Sequence, residues 1–284
     1  MSPRPAKPGP GEPPRPEPFL KWAGGKRQLL EQFARFLPSA GSYGAYHEPF
    51  LGGGAVFFRL LPRRAILSDT NAELIQCYET IRDDVETVIA ALGPCLNDES
   101  FYYQMRARDP GSLSRAVRAA RTIYLNRTCY NGLYRVNRAG LFNVPFGRYE
   151  SPVVCNEPAL RAAAGALAGV ELRVQPFAAV LKATRSEDFV YFDPPYQPLS
   201  TTSSFTAYTK EVFGEAEQRE LARVFGQLHE AGCRVMLSNS DTPLVRELYA
   251  HFRIEQVMAN RAINSKSTGR GKIPEVLVLS WRGN

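Results

Sequence analysis

Cysteine and histidine are scarce in this sequence of 284 residues, which has five of the first and three of the second. No two cysteines form a Cys-x-x-Cys pair, and the histidines are scattered along the chain. A zinc knuckle needs such paired spacing, and a disulfide framework is typical of short secreted chains with an even number of cysteines. A histidine-based metal site has no cluster to build on. We therefore expect a protein that binds no metal.

Long apolar runs are also missing. No stretch of 18 apolar residues occurs, so no membrane-spanning helix is predicted. The segment MSPRPAKPGPGEPPRPEPF at the start lacks the apolar core of a secretory signal. Residues 1–18 include eight prolines, and this composition predicts a disordered tail. We expect a soluble, cytoplasmic protein that acts as a monomer and has no membrane partner.

Positive charge is concentrated in one part of the chain. The formal net charge is +7, and residues 101–150 hold nine arginines, no lysine and only two acids, Asp109 and Glu150. Tyrosines and asparagines are interleaved with these arginines. Guanidinium groups suit phosphates and guanine edges, and aromatic rings suit base stacking, so the block favours a nucleic-acid partner. A solvated arginine-rich helical face is the alternative interpretation.

The apolar patterns alternate between strand and helix on either side of a different middle section. This alternation predicts an α/β fold, a mostly parallel Rossmann-like sheet with helices on both faces. The middle section reads as an inserted helical domain. We predict a discontinuous catalytic domain over 19–71 and 158–284, with the insertion at 72–157. Helices are expected at 25–38, 55–61, 72–92, 112–126, 215–232 and 243–249, and strands at 45–50, 63–69, 170–175, 188–193, 233–240 and 274–281.

A glycine loop, Phe50-Leu51-Gly52-Gly53-Gly54, lies between a predicted strand and helix. Glycines at such a point let a ligand approach the backbone near a helix N-terminus. The spacing does not fit a dinucleotide fingerprint or a phosphate-binding P-loop. A ligand without pyrophosphate, such as S-adenosylmethionine, fits better, and Asp69 at the next strand end is placed to bind ribose hydroxyls. A purely structural glycine turn is the alternative.

The segment Asp193-Pro194-Pro195-Tyr196 follows a buried apolar run, so the aspartate is expected at the carboxyl end of a strand. Two prolines stiffen the turn and remove two backbone donors. The Asp193 carboxylate and the Pro194 carbonyl can together accept both protons of an exocyclic amine, and Tyr196 can stack on the base that carries it. A proline-rich turn capped by aspartate is the alternative.

The sequence resembles the Dam-type DNA adenine-N6 methyltransferases. The matching segments run in the same order as in that family, from Phe19 to Trp281. They are FLKWAGGK (19–26), HEPFLGGGAVFFRL (47–60), LSDTNAELI (67–75), YLNRTCYNGLYRVNRAGLFNVPFGRY (124–149), VYFDPPYQPLS…FTAYT (190–209), LSNSDT (237–242) and RAINS…RGK…EVLVL (261–279).

The resemblance implies a Rossmann-like methyltransferase that uses S-adenosylmethionine and acts on double-stranded DNA. It places Trp22, Lys26, Phe50, Gly52, Gly54, Asp69 and Asp193 at the cofactor. It places Asp193, Pro194 and Tyr196 at a flipped adenine. The resemblance also implies seven DNA-contacting residues: Lys21, Tyr130, Asn131, Leu133, Arg135, Pro145 and Arg148.

The recognition sequence is expected to be GATC, with Arg135 reading a guanine. Thr128-Cys129 and Tyr134-Arg135-Val136 depart from the family's commonest pattern. Two alternatives from different classes stay open at this point. The first is a methyltransferase for another amine, such as cytosine N4, an RNA base or a protein amide. The second is a DNA-binding regulator without catalysis.

Overall fold

The computed structural model describes residues 14–22, 24–137, 139–196, 213–260 and 272–281. Residues 1–13 of the predicted tail lie outside this part of the chain, as do 197–212 and 261–271, which contributed to two of the matching segments. Residues 14–18 are described and form neither helix nor strand, although the Glu17 carboxylate pairs with Arg27.

The described residues form seven strands and eight α-helices. The strands are β1 Tyr46–Glu48, β2 Ala65–Asp69, β3 Glu171–Val174, β4 Phe189–Phe192, β5 Arg234–Ser240, β6 Arg253–Asn260 and β7 Lys272–Leu279. The helices are α1 Leu30–Phe33, α2 Ala55–Leu60, α3 Ala72–Leu92, α4 Glu99–Ala107, α5 Arg115–Thr128, α6 Glu157–Leu167, α7 Glu215–Glu230 and α8 Pro243–Leu248.

All seven strands belong to one sheet with the order β3-β2-β1-β4-β5-β7-β6. The first five are parallel, and β7 is antiparallel to both β5 and β6. The chain runs outward from β1 through β2 to β3, and then continues in the opposite direction from β4. The carboxyl ends of β1 and β4 therefore flank a topological switch point, which is where open α/β sheets bind their ligands.

The two faces of the sheet are covered by separate apolar clusters, because successive side chains of a strand point to opposite faces. In β4, Phe189 and Tyr191 join the cluster that continues into α3, α5 and α6. Val190 and Phe192 join the cluster under α7 and α8. Both faces of the central strands are buried, as expected for a parallel sheet. The result is a mostly parallel α/β fold with helices on both faces of a Rossmann-like sheet.

The helices after β2 share one apolar cluster with the sheet. Helix α3 begins at Asn71, whose side chain accepts hydrogen bonds from the backbone N–H groups of Glu73 and Leu74. It packs against β2 and β3 as well as against α5 and α6. The predicted division at residue 72 therefore falls within a segment that touches both the sheet and the inserted helices, and it stays a prediction.

Most predicted elements are present within a few residues of their expected ends. The predicted helix over 25–38 is reduced to a 3₁₀ turn at Lys26–Gln28 and the single turn of α1. Helices α4 and α6 and strand β6 were not predicted. Strand β6 is an edge strand that pairs only with β7 among the described strands, and its exposed side chains weaken the apolar pattern. None of the helices described here is long and apolar enough to cross a membrane.

Candidate active site and DNA interface

Three carboxyl groups lie at the carboxyl ends of three adjacent parallel strands. Glu48 ends β1, Asp69 ends β2, and Asp193 follows β4 directly. Burial raises the pKa of all three carboxyls. Desolvated carboxylates at one edge of a sheet favour a cationic ligand over an anionic one, because a positive charge restores the stabilisation that water would otherwise supply.

The glycine loop is held between Asp69 and Trp22. The backbone N–H of Gly52 donates to the Asp69 carboxylate, with N to Oδ2 at 3.2 Å, and the Tyr78 hydroxyl donates to the Gly52 carbonyl. Gly52 has a φ of +46°, and a Cβ there would lie 2.7 Å from Cδ1 of Trp22. Only glycine fits this position without displacing the indole, so the sequence places a glycine where the backbone and a ring meet.

Asp193 is fixed through one of its two carboxylate oxygens. Oδ1 lies 2.8 Å from Nζ of Lys26 and 3.0 Å from the Ser238 hydroxyl, which donates to it. Within the part of the chain that the structure describes, no group donates to Oδ2, and about one-fifth of the Asp193 side chain is exposed. The carboxylate is thus oriented at one oxygen, while the other can accept a hydrogen bond from a ligand.

The rest of the Asp-Pro-Pro-Tyr turn is also anchored. The Pro195 carbonyl accepts a hydrogen bond from the Gln218 amide of α7 at 3.2 Å. The Tyr196 hydroxyl donates to Glu275 of β7, with the two oxygens 2.5 Å apart, and its ring lies 4.4 Å from Nζ of Lys26. Lys26, which was expected at the cofactor, is buried. Its ammonium contacts the Asp193 carboxylate and the Tyr196 ring. Phe50 packs on Phe177 and Phe213 at the same edge.

Glu48 lies beneath this site and is 2% exposed. Its Oε2 accepts hydrogen bonds from the Tyr46 hydroxyl at 2.8 Å and from the Phe57 backbone N–H at 3.2 Å. Burial raises the pKa of the Glu48 carboxyl to about 8, and the neighbouring Asp193 adds to the rise. A pKa of about 8 favours the protonated form of Glu48 at pH 7 in the folded protein.

Replacing Glu48 with glutamine should stabilise the fold increasingly as the pH rises. The folded pKa lies above the unfolded value near 4.5, so the stability of the wild type is complete below that value and declines until about pH 8. Glutamine has no proton to lose and keeps the acceptor oxygen. Between pH 5 and pH 8 the difference in unfolding free energy should grow by roughly 2–4 kcal/mol, at about 1.4 kcal/mol per pKa unit.

Urea denaturation of both proteins across this range measures the difference. The same change at Glu230, an exposed residue near the end of α7, is the matched control and should give a difference that hardly varies with pH. A Glu48→Gln difference that is flat from pH 5 to pH 8 would mean that Glu48 is ionised in the folded state.

The loop after α5 gathers most of the residues predicted at the DNA. Tyr130 is 51% exposed, and its backbone N–H donates to the Pro145 carbonyl at 2.9 Å. Asn131 has a φ of +55°, a left-handed conformation that asparagine tolerates. Leu133 is half-buried behind them. Arg135 is exposed, and its guanidinium donates to the side chain and backbone oxygens of Asn143.

Lys21 is attached to this loop by its own backbone. Its N–H donates to the Asn126 side-chain oxygen at 2.7 Å, and its carbonyl accepts from the same amide at 2.5 Å. Its side chain packs against Gly132, and its ammonium lies 4.5 Å from the centre of the Tyr149 ring. Arg148 stands further away and pairs with Glu99 of α4 at 3.5 Å.

Two of the nine arginines in the basic block are not available to a nucleic acid. Arg121 is 2% exposed, and its guanidinium donates to Glu73 and to the Met105 and Arg106 carbonyls. Arg127 donates twice to the Phe19 carbonyl. The prediction of a basic surface therefore applies to at most seven of them. The helical pattern alone did not separate these two from the exposed arginines.

No group of three or more histidine, cysteine, aspartate or glutamate side chains among the described residues is arranged to hold a metal ion. The five cysteines are free thiols. The site is built from carboxyl groups, one lysine, aromatic rings and a glycine loop.

Residues 22–263 match the model of the D12 class N6 adenine-specific DNA methyltransferases. The chain belongs to this family. It is 42% identical over 272 residues to the type II methyltransferase M1.LlaDCHI of Lactococcus lactis subsp. cremoris, covering 93% of this chain and 95% of that protein. It is also 42% identical to the type II methyltransferase M.MjaIII of Methanocaldococcus jannaschii, covering 93% and 99%. The DNA adenine methylase of Escherichia coli strain K12 is 38% identical, covering 92% and 94%.

As a D12 class methyltransferase, the protein is an adenine-specific DNA methyltransferase that takes its methyl group from a donor and acts on DNA. The alternatives of another amine and of a silent regulator are set aside by this membership together with the intact Asp-Pro-Pro-Tyr turn. The roles of individual residues stay predictions.

Sequence reasoning did not single out three residues that shape the site: Glu48, Ser238 and Glu275. Each lies inside a segment that carried the resemblance. Their distances in sequence from Asp193 and Tyr196 hide the contacts, which form only when β1 and β5 lie on either side of β4 and β7 lies beside β5. The signal that was available is the position of each residue in or at the end of a buried strand.

Proposed function

We propose that the protein transfers a methyl group from S-adenosylmethionine to N6 of adenine in duplex DNA, within the sequence GATC. The observation that carries the proposal is the state of Asp193, which is oriented through Oδ1 by Lys26 and Ser238, while no group in the described part of the chain donates to Oδ2. A carboxylate held in this way accepts a proton-bearing group at a fixed angle and needs no reorganisation when the group arrives.

The residues around the glycine loop fit S-adenosylmethionine as the donor. The two desolvated carboxyl groups of Asp69 and Asp193 favour a molecule with sulfonium and ammonium charges over a dinucleotide with an anionic pyrophosphate. Asp69 would hold the ribose, while Trp22, Phe50 and the backbone of Gly52 and Gly54 would line the pocket. When bound, the cofactor supplies an electrophilic methyl group on a positively charged sulfur.

The adenine would be taken out of the DNA stack, at a cost of a few kcal/mol. In the proposed pocket, Asp193 Oδ2 and the Pro194 carbonyl accept the two N6 hydrogens, and Tyr196 stacks on the ring. These contacts would direct the N6 lone pair at the methyl group that the cofactor supplies. The proton that N6 then loses would pass to Asp193 Oδ2 or to solvent. Orientation of the two reactants supplies much of the acceleration.

The DNA would lie against the loop after α5. Tyr130 and Leu133 supply apolar surface beside the vacated stack, Lys21 reaches the first bases of the site, and Arg135 reads a guanine. Asn131, Pro145 and Arg148 would contact the backbone nearby. The carboxylates in the pocket and the arginines on the loop carry opposite charges, which supports a division between a cationic donor and an anionic polymer.

Digestion of treated plasmid tests the proposal. Incubation of the purified protein with S-adenosylmethionine and unmethylated plasmid should block an endonuclease that cuts only unmethylated GATC, and should permit one that requires adenine methylation there. Nucleoside mass spectrometry should find N6-methyladenine. Methyladenine with unchanged GATC cleavage would overturn the recognition sequence, and N4-methylcytosine would overturn the target base. A plasmid without GATC is the control.

Gly52→Ala should weaken binding of S-adenosylhomocysteine by at least tenfold. Alanine pays about 1–2 kcal/mol in the left-handed region, and its Cβ would push against Trp22, 2.7 Å away. Calorimetric titration measures the change. Gly169→Ala is the matched control: Gly169 has a φ of +75°, and no atom lies within 4 Å of the place its Cβ would take, so it reports the backbone strain alone. Equal affinities in wild type and Gly52→Ala would remove the loop from the cofactor pocket.

A further inference from the structure

Tyr134 belongs to the loop after α5 and lies on the side of the loop next to the proposed cofactor pocket. It is 8% exposed and stands in the chain directly before Arg135. Its ring stacks on the Trp22 indole, with the ring centres 5.2 Å apart and the planes at 24°. On another side it meets the edge of the Phe142 ring at 5.7 Å. One residue of the loop therefore covers the aromatic residue that borders the glycine loop.

The Tyr134 hydroxyl is attached to the first turn of α3. It donates to Oε2 of Glu73 at 3.4 Å, while Oε1 of Glu73 accepts from Thr122 at 3.0 Å and from Arg121 at 3.2 Å. Since Arg121 and Thr122 belong to α5, the same carboxylate ties the inserted helices to the loop. Glu73 and the two carbonyls of α4 thus supply the partners that the buried Arg121 guanidinium needs.

Glu73 is also linked back to the cofactor side. Asn71 caps α3 by accepting from the Glu73 N–H, and the Asn71 N–H donates to Asp69 at 3.0 Å. Asp69 accepts from the Gly52 N–H, and Gly52 touches Trp22. The contacts close into a ring around the edge of the pocket. Its members are Asp69, Asn71, Glu73, Tyr134, Trp22 and Gly52.

We propose that Tyr134 is a positioning residue. Its stacking on Trp22 fixes the position of the loop after α5 relative to the cofactor pocket. The inference rests on the proposed function, in which Trp22 borders the cofactor and Arg135 reads a guanine. Within this ring of contacts, the Tyr134 ring and the Trp22 indole form the side-chain contact that joins the loop after α5 to Trp22. Removing the Tyr134 ring therefore loosens both sides together.

If the inference holds, one substitution at Tyr134 weakens both cofactor binding and guanine discrimination. If the two sites were independent, it would weaken only one of them. Tyr134→Leu should raise the Kd for S-adenosylhomocysteine about tenfold. It should also reduce by about tenfold the preference for the intact site over duplexes changed at a single guanine. Tyr134→Phe keeps the ring and loses only the hydroxyl, and it should stay within about twofold of wild type in both measurements.

Tyr103 provides the matched control. It lies on α4 in the same inserted helices, and its ring contacts Arg106 and Tyr102 rather than the loop. Tyr103→Leu and Tyr103→Phe make the same chemical changes elsewhere and should leave both measurements unchanged. Melting temperatures of all variants separate a local effect from general destabilisation.

Trp22→Leu tests the same stack from its other side and keeps the inference falsifiable if Tyr134→Leu does not fold. It should reduce guanine discrimination as Tyr134→Leu does, and the double variant should lose little more than either single change. Additive losses, a loss in only one property, or a Tyr134→Phe variant as impaired as Tyr134→Leu would overturn the inference. A wild type that fails to bind S-adenosylhomocysteine or to methylate adenine would instead overturn the proposed function, before any variant is compared.

Discussion

Replacing Asp193 with alanine is expected to reduce methyl transfer by about a thousandfold or more, while DNA affinity stays within a few fold of wild type. The reason is that Asp193 would hold the reacting amine, whereas most of the proposed DNA contacts lie on the loop after α5. Losing one preorganised polar contact to the reacting group costs about 10²- to 10³-fold in other enzymes, and the alanine also removes the group that orients the lone pair. Single-turnover methylation and a DNA-binding titration measure the two effects.

The alanine leaves the buried Lys26 ammonium without its carboxylate, so a control must separate catalysis from folding. Asp193→Asn keeps the size and one acceptor oxygen and should still lose most of the activity. Ser238→Ala removes only one hydrogen bond to Oδ1 and should lose less than about tenfold. Near wild-type turnover in Asp193→Ala with unchanged melting temperature would contradict the proposed mechanism.

Replacing Arg135 with alanine is expected to slow methylation of the preferred site by roughly ten- to a hundredfold and to flatten the preference for its guanine. Arginine gives guanine O6 and N7 two parallel hydrogen bonds, worth about 1–3 kcal/mol of discrimination. Arg135 is exposed, and its guanidinium donates to Asn143, a polar contact that a guanine edge can replace. Methylation rates on duplexes with each single-base change measure the preference.

Arg135→Lys is the matched variant, because it keeps the positive charge and loses the paired geometry. It should bind DNA almost as well as wild type and still lose most of the discrimination. If Arg135→Ala slows every duplex by the same factor and Arg135→Lys restores the rate, Arg135 contacts the DNA backbone and the assignment of base reading is wrong.

The sequence by itself determined the elements that carry the proposed chemistry. An apolar run before Asp193-Pro194 predicted a buried strand with a carboxylate at its end, and β4 ends at Phe192 as expected. The glycine loop and Asp69 were assigned to the ends of neighbouring strands in the same way, and the sheet brings those ends together. Such features are local, because strand period, proline and glycine restrict the backbone within a few residues.

The tertiary structure decided which charged residues serve the fold and which are free to serve the reaction. In the sequence, Arg121 cannot be told apart from the exposed arginines near it. In the structure, its guanidinium is surrounded by Glu73 and two carbonyls of α4. Lys26 lies 167 positions before Asp193, and the two side chains meet because β4 ends beside the turn that contains the lysine. A buried charge is stable only with partners. Because those partners come from distant parts of the chain, a local sequence pattern cannot predict them.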